Sequence, residues 1–434
     1  MIKRKFSRRD IISSSSLGAA LFCSPLFLSS KVLGRDGNVA PSNKITLAII
    51  GAGGRGQHDL KRFLVQPDVQ FLAVCDVQKR HRENCKKLAE QDFGVKSCDT
   101  YRDFRELLAR QDLDSVLIAT GDHWHAHASI YAAQAGKDVY SEKPCAITID
   151  LCRQLANTMK RYGVIFQAGV QRRSLGNFAT AVDLARSGKL GKLKEVHAAV
   201  YRLEVIYDWL PAQELPDVNE IDWDLWLGPS PWRPYNFEYV RGRWRSHYDF
   251  DSGAKFHDWG AHTVDLCQWA VDADGSAPVK YWSEDRYLYA LYANGVKLVM
   301  RQPDGWMGLG NCSVRFVGED GWVETGDSGK IAVFPDSLRG ELAKDFGIYG
   351  KKLGGTHGED PLTHVRNFLD CIKTREQTVC NGDVTCSTHI ACHAAAMSWL
   401  LKRELNFDPK TDNFINDPQA NKLKTRAWRE PWSV

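Results

Sequence analysis

Residues 45–56 read ITLAIIGAGGRG, a largely apolar run that leads into a glycine-rich turn. The pattern predicts a buried strand over 45–50, and a helix that opens in the turn. Gly51 permits the tight turn, Gly53 lets the backbone approach a pyrophosphate, and Gly56 allows a helix to lie close to a strand. The N-terminus of that helix favours an anion. This stretch therefore predicts the first β-turn-α unit of a dinucleotide-binding domain.

Apolar runs alternate with helical periodicity from residue 44 to residue 168, as in parallel βαβ units. The predicted strands are 45–50, 69–75, 115–119, 138–140 and 164–168. The predicted helices are 57–65, 79–90, 101–110, 127–135 and 149–162. We therefore predict an α/β fold whose domain 44–168 is a Rossmann domain with a doubly wound parallel sheet.

The pattern changes beyond residue 168, where predicted helices surround a run of strands. These helices lie near 177–187, after Asp258, near 361–373 and near 383–400. A strand at 193–207 precedes a Trp- and Pro-rich stretch without a clear period, 208–248. Residues 279–334 read as successive strands separated by turns, and a polar tail to Val434 is expected to wrap the surface. Residues 169–434 are therefore predicted to be a C-terminal α+β domain with an antiparallel or mixed sheet.

Composition narrows the class of protein. The 434 residues suffice for two domains, and 43% hydrophobic with 25% charged residues is typical of a soluble globular chain. A net charge of +4, with no basic block interleaved with aromatic residues, argues against a nucleic-acid partner. The twelve cysteines show neither a dense disulfide framework nor paired Cys-x-x-Cys spacing, so we expect no structural metal.

The N-terminus is basic around Ser7, Arg8 and Arg9, and an apolar run follows at 17–28. This pattern predicts a twin-arginine signal peptide over residues 1–34 and a linker over 35–43. The alternatives are an N-terminal membrane anchor, for which the run is short, and a lipoprotein at Cys23. We expect the twin-arginine translocase to export the protein to the periplasm, with no stable membrane insertion once the signal is removed.

A carboxylate at the end of the second strand strengthens the dinucleotide prediction. Asp76 is placed to accept hydrogen bonds from the adenosine ribose, and it favours NAD over NADP because it would repel a 2′-phosphate. Lys79 and Arg80 follow closely and leave NADP open as an alternative. We expect a tightly bound cofactor. The predicted cofactor-binding residues are Gly51, Gly53, Gly54, Arg55, Gly56, Asp76, Thr120, His123, Trp124, His125, Glu142 and Lys143.

The segment TGDHWHAH, residues 120–127, follows the strand 115–119 at the edge where ligands bind in open α/β sheets. Its three histidines suggest a metal site, but no carboxylate or thiolate lies at ligand spacing. We therefore interpret it as a loop that lines the cofactor, with Trp124 able to stack on it.

The segment SEKP, residues 141–144, follows the strand 138–140 at the same edge of the sheet. Lys143 can there hydrogen-bond a substrate hydroxyl and stabilise the alkoxide without a metal. Asp258 and His262 lie four residues apart and share a face if a helix begins there. His262 is the predicted proton acceptor and Asp258 its partner, whereas Asp265 is taken as structural.

These motifs resemble the Gfo/Idh/MocA family, and the resemblance covers nearly the whole chain after the signal. It implies that Glu142-Lys143-Pro144 supplies the catalytic lysine and that Asp258 and His262 complete the catalytic set. It implies that His125 lies near the nicotinamide, and that the second domain is α+β with an open, mainly antiparallel sheet that often mediates a homodimer or homotetramer. It also implies that the segment 171–173 lines the substrate crevice. The predicted substrate-binding residues are Gln171, Arg172, Lys143 and His262, with Arg173 beside them.

The sequence therefore predicts an NAD(P)-dependent dehydrogenase that transfers a hydride between a sugar, glycoside or cyclitol hydroxyl and nicotinamide. Tryptophans of the stretch 208–248 are candidates for stacking on sugar rings. One alternative is an NAD-dependent glycosidase-like enzyme that oxidises its substrate transiently, with no net redox change. Another is a non-catalytic binding protein that keeps the dinucleotide fold. Lys143 argues against the first, and the full set of Lys143, Asp258 and His262 argues against the second.

Overall fold

The computed structural model describes residues 39–302, 306–342, 362–432 and 434. The predicted signal peptide, residues 1–34, and the first four residues of the predicted linker lie outside this part of the chain. A 3₁₀ turn at Pro41–Asn43 precedes the first strand. Among the described residues, no helix combines the length and the apolar character that crossing a membrane requires.

The N-terminal sheet contains six described strands, all parallel, in the order β3-β2-β1-β4-β5-β6. The strands are β1 (Ile45–Ile50), β2 (Val69–Cys75), β3 (Asp99–Tyr101), β4 (Ser115–Ile118), β5 (Asp138–Ser141) and β6 (Phe166–Ala168). Strand β3 was not predicted because two of its three residues are exposed and they form no apolar run. The order places the end of β1 at the centre of the sheet, between β2 and β4, where the glycine turn begins.

The helices of this domain lie between the strands. They are α1 (Gly54–Leu64), α2 (Lys79–Lys87), α3 (Phe104–Leu108), α4 (Asp122–Gln134) and α5 (Ile149–Tyr162), with a π-helical turn at Leu88–Asp92. The bounds of α5 are those predicted, because Thr148 caps its N-terminus and Gly163 ends it in the left-handed conformation. Helix α4 begins five residues earlier than predicted, so most of the segment 120–127 is helical rather than a loop.

The second sheet has nine described strands in the order β13-β12-β11-β7-β10-β9-β8-β14-β15. Only β7 and β10 pair in parallel; the other described pairs are antiparallel. The strands are β7 (Leu193–Ala199), β8 (Lys280–Glu284), β9 (Tyr287–Leu291), β10 (Lys297–Arg301), β11 (Val314–Gly318), β12 (Trp322–Thr325), β13 (Ile331–Phe334), β14 (Leu405–Asp408) and β15 (Asn413–Phe414). This mainly antiparallel sheet beside the Rossmann sheet confirms the predicted fold class.

The remaining helices are α6 (Gly176–Arg186), α7 (Trp223–Leu227), α8 (Lys255–Ala270), α9 (Leu362–Thr374), α10 (Gly382–Leu401) and α11 (Pro418–Lys422). Short 3₁₀ or π turns lie at Gln171–Ser174, Tyr239–Arg243 and Asp336–Glu341. Helix α10 packs against α5 of the first domain and α8 of the second. Because residues 45–434 thus form one compact unit, the domain boundary at 168/169 remains a prediction.

The C-terminal tail differs from the expectation of a polar surface wrap. Leu405 and Phe407 alternate with polar neighbours on β14, which adds to the edge of the second sheet, and both side chains are buried. Trp432 is buried against Trp124 of α4, with ring centroids 5.2 Å apart. The tail therefore contributes to the cores of both domains.

All eleven cysteines of the described residues are free and buried. Burial also raises the pKa of the Cys145 thiol, which follows the Lys143-Pro144 segment. In this part of the chain they act as small apolar core residues.

Candidate active site

The glycine turn is shaped by close contacts that only glycine tolerates. Gly51 has φ +90°, and a Cβ there would lie 2.6 Å from the carbonyl carbon of Ala119 at the end of β4. A Cβ at Gly56 would lie 2.2 Å from the Gly51 oxygen, so Gly56 lets α1 approach β1. By contrast, nothing lies within 4 Å of a Cβ at Gly54, at the N-terminus of α1. The turn is closed towards the sheet and open in front, which fits a pyrophosphate approaching this N-terminus.

Asp76 holds this turn in place. Its carboxylate accepts hydrogen bonds from the Ala52 amide at 2.7 Å and from the Gln78 amide at 2.8 Å, and it lies 3.3 Å from Nδ1 of His81. A carboxylate offers about four lone-pair positions, so acceptor capacity remains towards the groove that Asp76 lines. These contacts fit the ribose-binding role predicted for Asp76.

The segment 120–127 begins helix α4 rather than forming a loop, and its side chains have separate surroundings. Nε2 of His123 lies 2.9 Å from the Trp226 carbonyl, and the Trp124 indole donates to the Leu225 carbonyl at 2.9 Å. Trp124 is 5% exposed and lies edge-on to Phe104, but it also lines a groove next to the glycine turn, so its contact with a cofactor stays a prediction. The helix was missed because α4 is buried on nearly all sides and shows no amphipathic period.

His125, by contrast, lines the cavity beyond the glycine turn. Its Nδ1 lies 2.7 Å from the Pro144 carbonyl, so the proton on Nδ1 is donated there and Nε2 carries the lone pair. That Nε2 is buried with no partner in the described part of the chain. Burial lowers the pKa of His125 to about 4, so the ring is neutral near pH 7. Thr120 also lines this cavity.

Glu142 lies at the centre of a buried network below the cavity. It accepts hydrogen bonds from Arg55 at 3.0 Å and from Gln171 at 3.1 Å. Burial favours the protonated acid, but the charges of Arg55 and Lys143 outweigh it, so the pKa of Glu142 lies below its usual value. Burial and the charge of Glu142 raise the pKa of Asp59, which also accepts from Arg55 at 3.0 Å. Glu142 therefore orients Arg55, and Gln171 lies behind Glu142 rather than at the cavity surface.

Lys143 and Asp258 form the direct contact between the two predicted catalytic motifs. The Lys143 ammonium donates to the Asp258 carboxylate and, at 3.0 Å, to the Asp258 carbonyl. Although burial opposes ionisation, Lys143 and Arg245 lower the pKa of Asp258. An ammonium group has three donors, and for the third no acceptor is found among the described residues, so it is free to bind a ligand in the cavity.

The structure brings His262 to Arg172. Nη1 of Arg172 lies 3.1 Å from Nε2 of His262, and the same guanidinium binds both oxygens of Asp327, at 3.1 and 2.8 Å. Since an arginine only donates, Nε2 of His262 accepts and the imidazole is neutral. Burial and Arg172 lower the pKa of His262 well below its usual value. The hydrogen-bond partners of the Asp258 carboxylate and of His262 are thus different residues, although both side chains line one cavity.

Two residues near the predicted site lie outside the cavity. Arg173 is buried and donates to Asp265 at 2.6 Å and to Asp274 at 2.8 Å. Asp265 also accepts from Thr388 at 3.1 Å, so it supports the packing of α8 against α10. Arg173 therefore stabilises the second domain, and the structural interpretation of Asp265 fits its position.

Sequence reasoning missed three charged residues at this cavity. Asp122 and Arg245 line it, and Asp327 holds Arg172. Nη1 of Arg245 lies 3.7 Å from Asp258 and 3.9 Å from Asp122. Asp122 follows Gly121 at a helix N-terminus, a signal that was available, whereas Arg245 and Asp327 occur in irregular segments without a motif. Among the described residues, no cluster of three or more His, Cys, Asp or Glu side chains is arranged to hold a metal ion.

A separate groove joins the glycine turn to Asp76 and is continuous with Ala119 and Thr120, which also line the cavity. The groove suits the adenosine half of a dinucleotide, because the glycine turn would hold the pyrophosphate and Asp76 would hold the ribose. The cavity, with Lys143, His125 and His262, then lies where the other half of the dinucleotide meets a substrate. The residues present therefore fit a nicotinamide dinucleotide.

Comparisons with known proteins identify both halves of the chain. Residues 45–170 match the NAD-binding Rossmann fold of the Gfo/Idh/MocA oxidoreductase family, and residues 193–300 and 325–434 match its C-terminal alpha/beta domain. A levoglucosan dehydrogenase structure, in complex with NADH and levoglucosan, superposes with a TM-score of 0.62 and 16% identity, covering 84% of this chain and 99% of that one. At that identity the similarity is one of fold.

The curated relatives match mainly a part of the chain. Inositol 2-dehydrogenase of Salmonella typhimurium is 26% identical over 183 residues, 41% of this chain and 53% of the relative. A glycosyl hydrolase family 109 protein of Solibacter usitatus is 34% identical over 164 residues, 36% of each chain. The chain thus spans about half or less of the length of these relatives. On the two matched domains, the chain belongs to the Gfo/Idh/MocA family of NAD-binding oxidoreductases.

Proposed function

We propose that the protein is an NAD-dependent dehydrogenase that oxidises a ring hydroxyl of a sugar, glycoside or cyclitol. The observation that carries the proposal is the Lys143 ammonium, which two contacts to Asp258 fix in a cavity also lined by His125 and His262. When bound, NAD supplies the acceptor for the hydride. The relative named inositol 2-dehydrogenase supports a polyol substrate.

Lys143, His262 and Asp258 have separate roles in the proposed reaction. The third N–H of Lys143 donates to the substrate oxygen and stabilises the alkoxide as the proton leaves. His262 accepts that proton at Nε2, so the substrate hydroxyl takes the position that Arg172 holds in the structure. Asp258 keeps Lys143 in place and, with Arg245 beside it, offers a further acceptor for a neighbouring hydroxyl.

A panel of sugars, glycosides and cyclitols tests this proposal. We expect the nicotinamide absorbance to rise with at least one compound, and the product to be lighter by two hydrogens. Absence of any absorbance change across a panel that includes inositols and anhydrosugars would contradict a dehydrogenase.

The glycosyl hydrolase relative favours a second candidate, a glycosidase-like enzyme with transient oxidation and no net redox change. The same panel separates the two functions, because this enzyme would release a cleaved glycoside without a lasting absorbance change. Product mass and nicotinamide absorbance are therefore recorded together.

We further propose that the protein is exported by the twin-arginine route with its cofactor already bound. The sequence around Arg8 and Arg9 supports export, and a periplasm poor in free NAD would require a retained cofactor. We expect the Arg8→Lys, Arg9→Lys variant to remain in the cytoplasmic fraction. An equal periplasmic yield of this variant would contradict the export route.

A further inference from the structure

The segment Asp217 to Leu227 of the second domain lies against the Rossmann domain next to Asp76, and we call it the strap. Gln78 and Ile221 face each other in an isolated antiparallel bridge. The Lys79 amide donates to the Glu220 carbonyl at 3.0 Å, and the Asp222 amide donates to the Val77 carbonyl at 3.2 Å. The strap therefore pairs through its backbone with the residues that directly follow Asp76.

Side chains strengthen this attachment. The Lys79 ammonium lies 2.7 Å from the Glu220 carboxylate, and Arg102 lies 3.4 Å from Asp222. Asp222 also caps helix α7, the C-terminal half of the strap, by accepting from the Leu225 amide at 3.0 Å. Loss of Asp222 would thus weaken the strap at two points.

The far end of the strap is attached to helix α4. The carbonyls of Leu225 and Trp226 accept from Trp124 and His123, each at 2.9 Å. Gly228, which directly follows the strap, has φ +50°, and a Cβ there would lie 2.1 Å from the Trp124 ring. The close approach of the two segments therefore requires glycine at this position.

A hydrophobic cluster supports the strap from behind. The rings of Trp223 and Trp226 stack with centroids 4.8 Å apart and planes inclined by 15°. Tyr239 and Phe250 belong to the same cluster. These tryptophans, which were candidates for stacking on sugar, instead belong to the wall of the groove or its support.

The groove has two walls. One is the Rossmann edge, with Asp76, Gln78 and Thr120, and the other is formed by Leu225 and Trp226 of the strap with Val240 and Trp244. In a Rossmann domain the adenosine lies beyond the carboxylate at the end of the second strand. We propose that the strap encloses the adenosine end of the dinucleotide, so that the cofactor leaves only when the contacts between the strap and residues 77–79 break. This inference rests on the proposed NAD-dependent function.

A disulfide across the bridge tests the strap. The hydrogen bonds on either side make Gln78 and Ile221 a non-hydrogen-bonded pair, whose Cα atoms lie about 4.5 Å apart. That separation is within the range for a disulfide. The Gln78→Cys, Ile221→Cys variant is loaded with isotopically labelled NAD, oxidised, and chased with unlabelled NAD. The same protein kept reduced is the matched control, and mass spectrometry confirms the bond.

We expect the oxidised variant to release the label at least tenfold more slowly than the reduced one. We also expect Asp222→Ala to release it several-fold faster than the wild type, whereas Gly275→Ala, at a site with nothing within 4 Å of a new Cβ, leaves release unchanged. Equal release by the oxidised and reduced forms, or a folded, loaded variant that forms no disulfide, would overturn the strap alone. A nucleotide-free wild-type protein that binds no labelled NAD would instead contradict the proposed function.

Discussion

Arg172 donates a hydrogen bond to Nε2 of His262 across 3.1 Å. This nitrogen is the atom at which His262, as the proposed base, accepts its proton. The contact links a residue just after the last Rossmann strand to helix α8 of the second domain. It also keeps His262 neutral, the state that a proton acceptor requires.

The first prediction concerns the pH dependence of turnover. Burial and Arg172 hold the pKa of His262 well below its usual value, so the acidic limb of kcat/KM due to His262 lies well below pH ~6.5. Arg172→Met removes the positive charge and should raise that limb towards pH 6.5. Arg172→Lys keeps the charge and is the control, expected to retain a low limb. An unchanged limb in Arg172→Met would remove His262 from the assigned role.

The second prediction concerns cofactor choice. Asp76→Asn removes the charge that opposes a 2′-phosphate, so the ratio of NADP to NAD affinity should rise at least tenfold, or about 1.4 kcal/mol. Kd values for both nucleotides on nucleotide-free protein measure it. Lys79→Ala should leave the ratio unchanged because its ammonium is paired with Glu220 at 2.7 Å. A ratio that changes in Lys79→Ala but not in Asp76→Asn would contradict this assignment.

The third prediction concerns the glycine turn. Gly51→Ala combines a backbone at φ +90° with a Cβ 2.6 Å from the Ala119 carbonyl carbon. Such backbone strain alone costs about 1–3 kcal/mol, and the steric overlap adds to it. We expect the free energy of unfolding, measured in urea, to fall by at least 2 kcal/mol (roughly the middle of that range), or the variant to give no soluble protein. Gly275→Ala is the control, and equal stability of the two variants would show that the turn differs from this description.

The fold was predictable where a local pattern carried it, as in β1, the glycine turn and α5. It was not predictable at α4, whose 13 residues are buried on nearly every side and lack a helical period. Lys143, Asp258 and His262 were found because each belongs to a short motif at a strand or helix end. Asp327 and Arg245 were not, because their positions in the site depend on packing between segments far apart in sequence.

The fourth prediction concerns acid stability. His127 is buried between Trp124 and Trp428, and burial lowers its pKa to about 3. The folded-state pKa lies below the unfolded value of ~6.5. The contribution of His127 to the free energy of unfolding is therefore complete above pH 6.5 and is lost as the pH falls towards 3. The loss is about 1.4 kcal/mol per pH unit.

His127→Phe should remove this dependence, since neither ring nitrogen has a partner in the described structure. The free energy of unfolding, measured in urea between pH 6 and 4.5, should therefore fall less steeply in this variant than in the wild type. The difference in slope should be about 1.4 kcal/mol per pH unit. Parallel curves for the two proteins would mean that His127 is not buried as a neutral ring.

We propose that Lys143 and His262 perform the chemistry on a substrate beside bound NAD. The most direct measurement is a single turnover with the best compound of the panel, using wild type, Lys143→Met and His262→Gln loaded equally with NAD. We predict that both variants keep the nucleotide and lose turnover by roughly 100-fold or more. Near-normal reduction of bound NAD in either variant would contradict the account.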